Sequence, residues 1–516
     1  MNLKKAKGFK LKSLEVIENP ILGSNTFNFI DESDNLDSLY FSVLIGPNGT
    51  GKSELFKFLL VLFKGIASEY SKPFSFVITY PFKLEYWHNE RLITFTNIDE
   101  DYNLVERKRK RRKSNIFQNS EPFFGNIDDI IPPNIIVNSF MLNDKFTFPS
   151  KDDSFNYKYL GVRNSPQQAS TRAYIRKIVE YIVKDGRPEV FEKGLKKLTK
   201  FLELPENIEV RFRTINATTF FNGNLERKTL DNFFKQIEDK YRDSPVRPPL
   251  KLDYYNKLKQ DGERITDLIA FVNELVRKDR LIDISNGRTK ILKYRVDRVG
   301  EHKLIQKDYE LLENLREIGL LKAPELNLAQ KGTIEIQKTS SGEFHFFSTM
   351  IGLMATVVPN SLIFIDEPEI SLHPNWQMKY LAFLRELFAE SIYDSCQFVI
   401  ATHSHFIISD LQGATSTIIG LKREQNRLKT IDINADTFGW SAEQVLLDVF
   451  DVQSTRNYIV AERLGLLLDL IAKEGSTKKE ITDKFNELQM YKFKNLPEED
   501  PLKFAYDTIV KEYVND

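Results

Sequence analysis

A single cysteine, Cys396, stands among the 516 residues. It excludes an intramolecular disulfide and any zinc or iron–sulfur centre built from clustered thiolates. Histidine is scarce as well, with six scattered copies, so a histidine-rich metal site has little to draw on. No apolar run approaches the ~18 residues of a membrane span. The longest near the front, Leu59–Phe63, is far too short. The first residues, MNLKKAKGFKLKSLEVIE, carry positive charge but neither an apolar core nor a small-residue cleavage site, which argues against a secretory signal. A soluble, cytoplasmic protein with no membrane partner is expected. Net charge is absent too, with 73 Lys and Arg against 73 Asp and Glu. That argues against a surface basic overall, as nucleic-acid or membrane binders have, while leaving room for a local basic patch. No internal repeat, low-complexity linker or sustained heptad is present.

What is present suffices for several packed cores. Hydrophobic residues make up 41% and aromatics 12%, which excludes global disorder. At ~150 residues per domain the length suggests about three units. Short strands with turns are expected over residues 11–45, ending in the apolar run Tyr40–Ile45, and a helix over Glu54–Lys64. Strand-like alternation occupies residues 75–105, and a buried strand is expected at Asn134–Asn138. Residues 165–330 change character, with helical periodicity at Ala173–Val183, Val190–Leu204 and Ile265–Val276. From residue 360 strand and helix alternate again: Ser361–Ile365, Trp376–Phe388 and Gln397–Ala401.

Gly46-Pro47-Asn48-Gly49-Thr50-Gly51-Lys52-Ser53 matches G-x-x-x-x-G-K-[ST] in full. It lies where that chemistry requires, after an apolar strand and before an amphipathic helix. Glycines let backbone N–H groups turn inward around a phosphate, and the helix points its positive end at the same anion. Lys52 is the expected ligand of the β- and γ-phosphates, and the Ser53 hydroxyl the ligand of Mg²⁺. Backbone contacts are expected from Gly46, Asn48, Gly49, Thr50 and Gly51.

The second half of such a site lies far downstream. Ser361–Glu367 (SLIFIDE) is an apolar strand ending in two acids, and a buried strand delivers such groups to the edge where α/β sheets bind ligands. Asp366 is the expected Mg²⁺ holder, and Glu367 the residue that orients or deprotonates the attacking water. The run continues as Pro368-Glu369-Ile370-Ser371-Leu372-His373-Pro374. Asp366–Pro374 resembles the Walker B segment and D-loop of the ATP-binding-cassette (ABC) class of ATPases, in the soluble branch that includes the SMC and RecF repair proteins and the OLD-type nucleases.

Two more elements agree with that branch, in the same order. Ser340-Ser341-Gly342-Glu343 resembles its signature motif, with Thr339 where the family often has Leu. Thr402-His403-Ser404 resembles its switch loop. The resemblance implies an α/β ABC-ATPase head: a P-loop sheet with an antiparallel β subdomain, a helical insert lobe and a helical C-terminal tail. Its parts would be residues 1–160, with the P-loop; 161–335, the lobe; 336–435, with the remaining motifs; and 436–516, a partner-docking tail. It also implies ATP and Mg²⁺ as cofactors, His403 at the γ-phosphate, and a homodimer. In that dimer Ser340–Glu343 of one copy face the nucleotide of the other, and ATP draws the copies together. His405 reads as structural, and His88, His302 and His345 as ordinary surface or core residues. The glutamine loop of the class has no secure position; Gln118 and Gln167-Gln168 are the nearest candidates.

Between Lys52 and Ser341 the insert is longer than a transport cassette needs and shorter than an SMC arm. The basic run Arg107–Lys113 reads equally as a phosphate-contacting hairpin tip and as a solvated loop. Beyond residue 403 there is no Asp-x-Asp for a TOPRIM nuclease, and beyond His405 no histidine for an HNH or HD nuclease. No intrinsic nuclease is therefore expected. The tail, with Thr437–Phe450 and an amphipathic stretch over Arg456–Glu474, completes an architecture that resembles the PtuA ATPase of Septu and retron anti-phage systems. That resemblance implies a separate HNH nuclease (PtuB-like) as partner. In a retron it also implies a reverse transcriptase with its RNA–DNA product, for which Arg107–Lys113 is the candidate contact. A RecF-like repair clamp is the alternative; a transporter subunit is disfavoured by the insert and by the EPEISLHP loop.

Overall fold

The structure is a computed structural model. It describes residues 5–31, 33–68, 80–98, 116–139, 141, 144, 146–148, 156–161, 163–165, 168–169, 171–243, 246–284, 288–329, 333–336, 339–424, 427–433, 440, 442–448, 458–473, 477–488 and 500–514. The chain divides into two compact units, residues 1–439 and 440–516.

The first unit is organised by a seven-stranded sheet. Its strand order is Arg427–Ile433, Ser416–Glu424, Tyr40–Ile45, Gln397–Thr402, Leu362–Asp366, Ile135–Ser139, Tyr157–Tyr159. All neighbours are parallel except the first pair. The four central strands are buried at every position, as parallel strands covered on both faces must be. Register sets Asp366 beside both Ala401 and Ser139, and Thr402 beside Ile45. The ends of four strands, each far apart in sequence, therefore meet along one edge.

An antiparallel sheet lies across the helix that follows the P-loop. Its order is Gly23–Asn28, Phe9–Asn19, Phe82–His88, Arg91–Thr96, Ile116–Gln118, Glu121–Pro122. The helix, Lys52–Ser68, is held between the two sheets. Phe56 meets Phe364 of the parallel sheet with ring centroids 4.8 Å apart, and Phe63 meets Tyr86 of the antiparallel sheet at 5.5 Å. Leu55, Leu59 and Phe63 join residues of both sheets in one core.

Between the motifs, helices predominate as expected: Thr171–Lys184, Pro188–Phe201, Arg227–Tyr241, Leu250–Gln260, Gly262–Arg277 and Val299–Glu317. The expectation of a helical lobe needs one correction. A five-stranded antiparallel sheet runs through it, in the order Leu281–Asp283, Lys290–Arg295, Asn207–Arg213, Glu325–Ala329, Thr333–Glu335. Its central strand Asn207–Arg213 pairs with residues more than 80 positions away, such as Val210 with Tyr294, and local periodicity does not report such pairing. The helix expected over Trp376–Phe388 is two short ones, Pro374–Met378 and Tyr380–Leu387, separated at Lys379.

The second unit contains helices Ala442–Asp448, Tyr458–Ala472, Lys478–Leu488 and Pro501–Ile509. The last three enclose a small core of Leu467, Ile481, Phe485, Leu488, Leu502, Tyr506 and Ile509. Among the described residues no helix is long and apolar enough to cross a membrane.

Candidate nucleotide site

The P-loop turns at the end of strand Tyr40–Ile45 and closes on its own lysine. Lys52 Nζ donates to the carbonyls of Gly46 at 2.7 Å and Pro47 at 3.3 Å, and Thr50 Oγ1 donates to Pro47 O at 2.9 Å. Gly46 has φ +153°, and a Cβ there would overlap the Leu421 carbonyl of the neighbouring strand, so the loop can begin only at a glycine. Pro47, Asn48 and Gly49 are exposed, and Ser53 is half-buried. Burial lowers the Lys52 ammonium to about pKa 8, opposed by the charges of Glu367, Asp366 and Glu369.

Those acids converge because strand Leu362–Asp366 ends beside strand Gln397–Thr402. Asp366 is 1% exposed, and neither of its carboxylate oxygens has a hydrogen-bond partner among the described residues. Burial pushes its pKa up to about 7, with the nearby Ser53 hydroxyl and Lys52 pulling the other way. A buried carboxylate in this position calls for a cation. Ser53 and Asp366 together fit Mg²⁺, which takes few protein ligands and completes its shell with water and phosphate oxygens.

Glu367 takes a left-handed conformation, φ +51°, strained for a residue with a side chain. Its N–H still reaches Ala401 O at 2.9 Å, while its carboxylate lies 3.0 Å from His403 Nε2. His403 Nδ1 lies 3.2 Å from Lys52 Nζ. A neutral imidazole with its proton on Nε2 satisfies both contacts, donating to Glu367 and accepting from Lys52. The His403 hydrogen bond holds the Glu367 carboxyl below its usual range. Lys52, His403 and Glu367, expected from three separate motifs, thus form one continuous chain.

The signature residues have a different setting. Helix Ser341–Thr356 begins with a complete capping box: Ser340 Oγ accepts the Glu343 N–H at 3.2 Å, and Glu343 accepts the Ser340 N–H at 2.8 Å. Glu343, expected among the nucleotide contacts, is occupied in closing that cap. Ser340 and Ser341 are exposed, and among the described residues no hydrogen bond joins them to the P-loop of the same copy. Gly342 is buried against the loop that follows Glu367, where a Cβ would overlap the Ser371 carbonyl. Gly342→Ala is therefore expected to displace that loop, costing about 1–3 kcal/mol by overpacking and reducing ATP turnover. Thermal melting and steady-state turnover of the variant check both.

Two contributors escaped the sequence. His345, read as ordinary core, is buried on the signature helix, and its Nδ1 is hydrogen-bonded to the Ile370 carbonyl. Burial lowers it to about pKa 3, so the neutral ring donates to that carbonyl. Glu369 accepts the backbone N–H of His403. His405 is half-buried beside Phe406. Gln118 lies in the antiparallel sheet and Gln168 in the short strand Gln168–Ala169. The strand that does flank Asp366 ends in Ser139, not glutamine. Arg107–Lys113 and Gln167 lie outside the described residues. Beside the P-loop, a cavity of ≈300 Å³ is lined by Pro20, Ile21, Leu22, Lys57, Phe58 and Tyr80, among others.

Comparison with known proteins gives a family and several more distant similarities. The family described as AAA ATPase domain matches residues 26–408. A curated relative, the retron Vc95 probable ATPase of Vibrio cholerae serotype O1 biovar El Tor, is 22% identical over 251 residues, covering 44% of each chain. The match thus spans less than half of that relative. Among solved structures, the Smc head domain bound to the C-terminal domain of ScpA from Pyrococcus furiosus is 12% identical, with a TM-score of 0.31, over 82% of this chain and 96% of that one. The recombination mediator RecF with ATPrS is 14% identical, with a TM-score of 0.30, over 83% and 99%.

Proposed function

Because the chain belongs to the AAA ATPase domain family, we propose that it is an ATP-gated switch that pairs with a second copy of itself and controls a separate nuclease. The observation that carries the nucleotide chemistry is the chain Lys52–His403–Glu367 beside the unpartnered carboxylate of Asp366. Lys52 and the P-loop amides hold the phosphates, and the cavity beside Ile21 and Phe58 takes the base. Ser53 and Asp366 would hold Mg²⁺, which when bound neutralises charge on the transferring phosphoryl oxygens. Glu367 takes the proton of the attacking water. His403 turns its Nε2–H from Glu367 to the γ-phosphate, whose oxygens can only accept, and so frees the Glu367 carboxylate for that water.

The exposed Ser340 and Ser341 at a helix N-terminus suit the phosphate of a second copy, which supports the homodimer. The match to a retron probable ATPase and the PtuA-like architecture and tail support a defence complex with an HNH nuclease in trans. A reverse transcriptase bearing RNA–DNA would contact Arg107–Lys113.

Lys52→Ala removes a charge-assisted donor worth about 3 kcal/mol, so ATP affinity measured calorimetrically should fall about 100-fold. The function itself is tested by recovering tagged Glu367→Gln protein from its host with ATP present, and identifying what comes with it. A small HNH protein, with or without a reverse transcriptase and its DNA, supports the proposal. Recovery of only DNA and replication or repair proteins replaces it with a repair clamp of the RecF type.

A further inference from the structure

We infer that Glu369 is a positioning residue for hydrolysis: its carboxylate replaces a missing rung of the sheet and so fixes the backbone from which His403 works. Strands Leu362–Asp366 and Gln397–Thr402 are parallel, with Asp366 beside Ala401. Their ladder runs one step further, since Glu367 N donates to Ala401 O. The next rung of a parallel ladder would run from the His403 N–H to the Glu367 carbonyl. The left-handed turn at Glu367 takes that carbonyl away, and it accepts the Ile370 N–H at 3.3 Å instead. The donor left over is met by the side chain of Glu369.

The same turn fixes the acceptor. Leu372 N donates to Glu369 O at 3.0 Å, and the Glu369 carboxylate, with its second oxygen buried and unpartnered, faces the switch loop. The residue after His403 is tied separately: Ser404 N donates to Thr402 Oγ1 at 2.9 Å, and Ser404 Oγ to Gln377 Oε1 at 2.6 Å. The backbone of His403 is therefore held on both sides while its ring, between Glu367 and Lys52, remains able to change partners. Glu369 touches neither substrate nor the reacting atoms in this scheme. It acts through the position of His403, and errors of about 1 Å in such a position cost up to ~100-fold in rate.

The inference rests on the ATPase reading above, so its test has an arm that does not need turnover. In protein labelled with ¹⁵N-histidine, the His403 amide should be shifted downfield and protected from exchange in wild type and in Glu369→Gln, which keeps an oxygen acceptor. In Glu369→Ala it should move upfield and exchange faster. In kinetics, Glu369→Ala should lower kcat at least about tenfold with KM for ATP within about twofold, and Glu369→Gln should restore kcat to within about threefold of wild type. Wild-type kcat in Glu369→Ala, equal impairment of both variants, or an unmoved His403 amide overturns the inference. Absence of ATP hydrolysis by the wild-type protein would instead defeat the ATPase reading, with the amide shift still reporting on Glu369.

Discussion

Glu367→Gln is expected to lower kcat for ATP hydrolysis by about 10²–10⁴-fold, the range for losing a general base, while nucleotide affinity stays within a few-fold. The amide is the same shape as the carboxylate and can still pair with His403 Nε2, now 3.0 Å from Glu367 Oε1, so the loop keeps its form. It cannot accept a proton from water. In the proposed reading the phosphate contacts come mainly from Lys52 and the P-loop, so binding should change little and the variant should accumulate as an ATP-loaded dimer. Single-turnover hydrolysis and size-exclusion chromatography with and without ATP measure the two effects. Hydrolysis at the wild-type rate would remove Glu367 from the role of base.

Asp366→Asn should separate catalysis from stability. Loss of the carboxylate that would hold Mg²⁺ removes several kcal/mol of charge stabilisation, so turnover should fall by about 10²–10³-fold or more. The nucleotide-free protein, however, should become more stable. Burial raises the folded pKa of Asp366 from 3.8 to about 7, so between those values the folded state holds a proton that the unfolded state has released. Stability then falls as pH rises through that window, and above pH 7 the whole cost is present. That cost is at most about 4 kcal/mol, and asparagine does not incur it. Melts in chelator should show the variant above wild type by several degrees at pH 8, with the gap more than halved at pH 5. A gap independent of pH would show that Asp366 ionises in the folded protein as it does in water.

The strand ends that form the candidate site were legible because their residues sit in contiguous strings. Gly46–Ser53, Asp366-Glu367 and Thr402–Ser404 each lie at the end of an apolar strand, and a parallel sheet aligns such ends automatically. The lobe sheet was hidden for the opposite reason. Strand Asn207–Arg213 alternates Ile208, Val210 and Phe212 with Glu209 and Arg211, a period of two, yet it is seven residues between long helices, and its partners lie at Lys290–Arg295 and Glu325–Ala329. Glu369 and His345 were missed because each acts on a backbone atom of a distant residue, the His403 N–H and the Ile370 carbonyl. A backbone atom leaves no mark on residue type. Nothing in the sequence marks the break at Lys379.

The clamping of helix Lys52–Ser68 between two sheets has a consequence for how ligand binding is felt. Phe56 and Phe63 are buried against opposite layers, so the helix cannot shift without disturbing the packing of both. Such packing differs from that of the mobile loops from which many ligand sites are drawn. A ligand arriving at its N-terminus finds the donors already in place, and little conformational entropy is lost in ordering them. Selectivity at this end of the site is a property of a preorganised cradle, and the motion that accompanies turnover must come from the loops opposite it.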